Sequence, residues 1–166
     1  MAPSQRIDSA SVEEARALLR ACCGSTAWIE RMLALRPFRT DEALYQAARR
    51  EWFALTPGDW KEAFTEHPRI GDRENLRARF PATHHLSSAE QAGARAASDE
   101  TLDALAAANA DYQNRFGYIF VVCATGRSAD EMLDLLQMRL LNEPASELRV
   151  AASEQARITD LRLRGL

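Results

Sequence analysis

The spacing Ser-x-x-Glu occurs at Ser11–Glu14, Ser87–Glu90 and Ser128–Glu131, each time at the head of a segment rich in alanine or leucine. This is the capping box, in which a serine hydroxyl and a glutamate carboxylate each satisfy a backbone N–H that a starting helix leaves unbonded. Such starts, joined by apolar residues at helical period, predict an all-α fold. After the first box, Val12, Ala15, Leu18, Leu19 and Cys22 form a stripe that Gly24 stops. A second helix starts at Ser25 or Thr26, carries Trp28, Met32 and Leu35, and ends before Pro37. A third opens at Thr40-Asp41-Glu42 and carries Leu44, Ala48, Trp52 and Leu55. Pro57 suits the first position of a fourth, where Trp60 and Phe64 stack one turn apart.

Residues 67–86 break the pattern. Pro68, Gly71, Asp72 and Pro81 interrupt any period, so this stretch reads as a long loop of the kind that carries function. An alanine-rich helix then runs to Ala97, and Ser98 or Asp99 caps a further one through Leu102, Leu105, Asn109, Tyr112 and Phe116 to Gly117. Tyr118 to Ala124 is the one β-like run; without a partner strand it reads as a buried extended connector or a helix start. Met132, Leu135, Leu136 and Arg139 follow the third box, and Pro144 begins a last helix through Leu148, Ala152, Ile158 and Arg162. There is no repeat and no flexible linker, so residues 1–166 read as a single compact domain of seven or eight helices.

A net charge of -3 with no basic block argues against a nucleic-acid partner. No apolar run reaches the roughly 18 residues of a membrane span, and the first residues lack the apolar core of a signal peptide. The last three, Arg164-Gly165-Leu166, do not match a peroxisomal ending. Cys22, Cys23 and Cys123 have neither zinc nor redox spacing and read as small buried apolar residues, with a reactive Cys123 as the alternative. A cytoplasmic location is expected.

His67-Pro68-Arg69-Ile70-Gly71-Asp72 sets an imidazole between a helix end and a proline. An imidazole exchanges protons near neutral pH. Read alone, His67 is a surface histidine with its ring against Pro68. Glu90 has two readings as well: a carboxylate that closes its capping box, or one aimed with Gln91 at a ligand held by the helix N-terminus. His84 and His85 raise a metal reading with His67, Glu90 or Asp72, but no H-x-x-x-H or H-E-x-x-H spacing occurs. Ala124-Thr125-Gly126-Arg127 is too short and too poor in glycine to cradle a phosphate, and no G-x-S-x-G elbow is present.

Several ordered segments resemble the 2-oxo-4-hydroxy-4-carboxy-5-ureidoimidazoline (OHCU) decarboxylases of purine breakdown. They are Arg36-Pro37-Phe38, His67 to Gly71, Ser87 to Gly93, Asn109 to Val122 with Tyr112 and Arg115-Phe116-Gly117, and Ile158 to Leu163. Each is weak alone, and the ordered set covers nearly the whole chain. The resemblance implies an all-α homodimeric enzyme of the cytoplasm that uses no cofactor or metal. Such an enzyme converts OHCU to (S)-allantoin and carbon dioxide. It further implies that His67 is the catalytic imidazole and Glu90 its partner carboxylate. Pro68, Ser87 and Gln91 would contact substrate, the last two bonding its ureido and ring groups. Arg162 would meet a carbonyl oxygen, and the backbone N–H groups of Phe120, Val121 and Val122 would hold ring oxygens. Ile119 departs from the family's usual proline. Two other readings stand beside it: a metal-dependent hydrolase of cyclic amides using His67, His84 and His85, and a non-catalytic helical interaction module.

Overall fold

The protein is described here by a computed structural model that covers residues 1–67 and 88–166, the side chains of residues 88–98 excepted. The described residues are all-α, with eight helices and no strand. These are α1 (Pro3–Ser9), α2 (Val12–Cys22), α3 (Thr26–Ala34), α4 (Asp41–Phe53), α5 (Pro57–Thr65), α6 (Ser88–Phe116), α7 (Ala129–Arg139) and α8 (Pro144–Arg164). The chain forms two compact units, one of Met1–His67, Val121–Cys123 and Leu148–Leu166, the other of Pro68–Phe120 and Ala124–Glu147.

Helix starts in the first unit follow side-chain chemistry. Ser11 and Glu14 form a reciprocal capping box on α2, and Thr56 and Asp59 do the same on α5. Ser25 and Thr40 accept from the first turns of α3 and α4. The core is built from Ile7, Ala15, Leu19, Trp28, Ile29, Met32, Leu44, Trp52 and Phe64, all buried. Three indoles tie helices together by donating to carbonyls: Trp28 to Ala48 (3.0 Å), Trp52 to Ala152 (2.8 Å) and Trp60 to Trp52 (2.9 Å). Trp60 therefore meets Trp52, with ring centroids 6.2 Å apart.

Four local expectations need correction. α1 carries no Ser, Thr, Asp or Asn cap and only one core residue, Ile7, so its short run left no periodic signal. Val12 and Leu35 are exposed, because α2 and α3 turn those positions outward at their ends. Gly24 does not stop α2 by a left-handed turn; the helix ends at Cys22 with Cys23 extended. Gly24 is instead a close-approach residue, since a Cβ there would overlap the Glu66 side chain. Cys123 is half-buried, unlike Cys22 and Cys23.

In the second unit the backbone from Ser88 to Phe116 is one continuous helix, not two. Ser98 and Asp99 lower helix propensity only modestly, and neither breaks the hydrogen-bond ladder as a proline would. Gly117, at φ +80°, ends it in the left-handed region that glycine enters without strain. α6 packs on α7 around Leu102, Leu105, Tyr112, Met132 and Leu136. At the heart of this unit sits a buried ion pair. Arg139 and Glu147 meet at 2.5 Å, and Glu147 also accepts from the Tyr112 hydroxyl (2.5 Å) and the Asn142 amide (2.9 Å). Burial pushes the Tyr112 phenol upward, so it remains a donor. The Arg139 guanidinium lies 4.5 Å from the centre of the Phe120 ring, a cation–π contact that fixes this end of the connector.

From Gly117 to Ala124 the backbone is neither helix nor strand, Ile119 included. The Ala124–Arg127 turn closes with an Arg127 N–H to Ala124 carbonyl bond of 3.1 Å, and Gly126 takes φ +76°. A capping box of Ser128 and Glu131 then starts α7.

Candidate active site

His67 follows α5 directly. Glu66 is the C-cap of that helix, and the His67 N–H donates back to the Phe64 carbonyl at 3.3 Å. This places the imidazole on the end of a rigid element, half-buried, with its Nε2 hydrogen-bonded to Oε1 of Gln155 on α8. Gln155 is 1% exposed, and its Nε2 donates to the Thr159 hydroxyl at 3.1 Å, one turn further along α8. Burial lowers the His67 pKa below the ordinary imidazole value; the Gln155 bond opposes this, and the positive charge of Arg162 adds to it. The ring is accordingly neutral at pH 7.

Arg162 lies on the same helix, two turns past Gln155. Its Nη1 donates to the carbonyls of Ala21 and Cys22, both at 3.4 Å, which steadies a guanidinium that is otherwise exposed. Beneath it, burial raises the Cys22 and Cys23 thiols to about 11, so both stay protonated and unreactive. Val121 and Val122 are buried in this same unit. The Cys123 N–H that follows them donates to the Glu154 carboxylate at 2.8 Å, anchoring the connector to α8.

Of the residues singled out in the sequence, His67, Arg162, Val121 and Val122 thus fall in the first unit, with His67 and Arg162 close enough for their charges to interact. Phe120 belongs to the second unit and is buried under Arg139. Pro68 and Ser87, with the loop 67–86 beyond His67, lie outside the described residues, as do the side chains of Glu90 and Gln91. His84 and His85 lie outside them too, and among the described residues no cluster of three metal-ligating side chains occurs.

Gln155, Thr159 and Glu154 were missed by sequence reading. The expected face of α8, through Leu148, Ala152, Ile158 and Arg162, is only partly the buried one. Ala151, Ala152, Gln155, Thr159 and Leu163 are buried, whereas Leu148 and Ile158 are half-buried. Two polar residues four apart on a buried helix stripe were the available signal, because such groups must find partners.

A family model described as OHCU decarboxylase matches residues 8–164. The chain belongs to the OHCU decarboxylase family. Among its relatives is the "Uric acid degradation bifunctional protein TTL" of Arabidopsis thaliana, 37% identical over 145 residues, which are 87% of this chain and 44% of that protein. A 2-oxo-4-hydroxy-4-carboxy-5-ureidoimidazoline decarboxylase of Amia calva is 45% identical over 58 residues, 35% of this chain and 33% of the relative. The matched region therefore spans less than half the length of either relative. A crystal structure of an OHCU decarboxylase in the presence of (S)-allantoin superposes with a TM-score of 0.70 at 34% identity, covering 93% of this chain and 96% of the other. Family membership accounts for the all-helical architecture and for the ordered segments from Arg36 to Leu163.

Proposed function

We propose that this protein decarboxylates OHCU to (S)-allantoin in the breakdown of urate. The observation that carries the reading is the half-buried His67 held by Gln155, on a chain of this family, where burial and the Arg162 charge favour the neutral ring. In the reaction the bond from ring carbon to carboxylate breaks and its electron pair passes into the neighbouring C=N group. The ring hydroxyl becomes a carbonyl, and a proton arrives on one face of the ring. Because the substrate itself absorbs the electrons, the residues need only place donors and acceptors where charge moves. One well-placed donor is worth about 3–4 kcal/mol.

In this reading His67, with Glu90 as its catalytic partner, bonds the hydroxyl or carboxylate of OHCU and assists its departure. Ser87, Gln91 and Pro68 contact the ureido and ring groups. Arg162 donates to a carbonyl oxygen, and the N–H groups of Phe120, Val121 and Val122 hold ring oxygens. Residues 1–166 act as one catalytic domain without metal or cofactor, as a homodimer in the cytoplasm. What supports the chemistry is the charge pattern: a neutral imidazole accepts a proton, and a nearby cation steadies the negative charge that develops.

With freshly generated OHCU, His67→Ala and Glu90→Ala are each expected to keep the wild-type circular dichroism spectrum while lowering kcat by about 100-fold or more. Near-wild-type production of (S)-allantoin by either variant would remove that residue from the reaction.

A further inference from the structure

We infer that Gln155 is a positioning residue that fixes His67 as the Nε2–H tautomer and so presents Nδ1 as the ring's proton acceptor. The inference rests on the function proposed for His67 and adds which of its nitrogens faces the chemistry. A neutral imidazole has one donor and one acceptor nitrogen, and the partner of one decides the role of the other. Here the partner of Nε2 is a carbonyl oxygen, Oε1 of Gln155, which only accepts. Nε2 must then carry the proton.

The orientation of the Gln155 amide is fixed in turn. Its Nε2 donates to Thr159 Oγ1 at 3.1 Å, and Gln155 and Thr159 are both buried, so water does not offer either group an alternative. A series of hydrogen bonds thus runs from His67 through Gln155 to Thr159. Each member lies in the first unit, Gln155 and Thr159 on α8 and His67 just past the end of α5. Among the described residues the Arg162 charge disfavours the imidazolium and so favours the neutral ring, which has a tautomer to select. Nδ1 so presented is suited to take the proton of the substrate's ring hydroxyl as that oxygen becomes a carbonyl.

The test is side-chain ¹⁵N NMR of the substrate-free wild-type protein, with the His67 signals assigned among three histidines by their loss in His67→Gln. Expected is a protonated, pyrrole-like Nε2 and an unprotonated, pyridine-like Nδ1, with no averaging between the two forms. In Gln155→Leu the two signals should move toward the averaged values of a free imidazole, and kcat should fall about five- to tenfold with KM nearly unchanged, the size of one hydrogen bond. Gln155→Glu, which still accepts from Nε2–H, should restore the wild-type tautomer and raise the His67 pKa. An Nδ1–H or averaged ring in the wild type would overturn the inference. So would a Gln155→Leu protein whose ring signals match wild type. If Gln155→Leu does not fold, the wild-type and Gln155→Glu spectra decide alone. Because the spectra need no substrate, an inactive protein with the expected tautomer would count against the proposed reaction and leave the role of Gln155 standing.

Discussion

At the scale of single residues, His67 is set by its burial and by two neighbours, Arg162 and Gln155. Burial and the Arg162 charge both press it toward neutrality, while Gln155 holds the protonated nitrogen. The folded-state pKa is lowered relative to the roughly 6.5 of an unfolded chain. The unfolded state therefore binds the His67 proton more readily. The stability from a neutral His67 is complete above that unfolded value and is lost as pH falls through the folded one. Thermal unfolding followed between pH 7.5 and 5 should show a falling Tm whose slope is shallower in His67→Gln. Equal slopes in the two proteins would mean that His67 is not desolvated in the native state.

At the scale of elements, the second unit turns on the Arg139–Glu147 pair with Tyr112 and Asn142 around it. Breaking a buried pair from one side leaves a charge without compensation, which typically costs about 3–5 kcal/mol. Glu147→Gln is expected to lower the urea midpoint accordingly, and Arg139→Met with Glu147→Leu together to lower it by less than the two single changes summed. Strict additivity would show that the pair is not coupled. Much of this level was legible beforehand. Ser11, Thr40, Pro57 and Ser128 mark helix starts through local hydrogen-bonding chemistry that tertiary packing does not override. What escaped depended on distant contacts. α1 is stable because Ile7 enters a core made by other helices, and Ser98 and Asp99 read as caps because serine and aspartate favour caps and helix interiors to different degrees. Gly24 is a glycine because of Glu66, forty-two residues away. In the site, His67 and Arg162 stood out through their motifs, whereas Gln155 belongs to a residue type that is usually exposed and betrays its role only once α8 is seen to bury it.

At the scale of the whole molecule, among the described residues no helix is long and apolar enough to cross a membrane, and the family match extends over residues 8–164. The central claim is a reaction with a handed product, and its most direct measurement follows that handedness. OHCU generated in place is supplied to the purified protein, and circular dichroism of the small molecule is recorded together with carbon dioxide release, with and without a chelator. The account predicts (S)-allantoin and carbon dioxide appearing in equal amounts, faster than the spontaneous reaction and unaffected by the chelator. Racemic allantoin formed at the spontaneous rate, or activity abolished by the chelator, would contradict it.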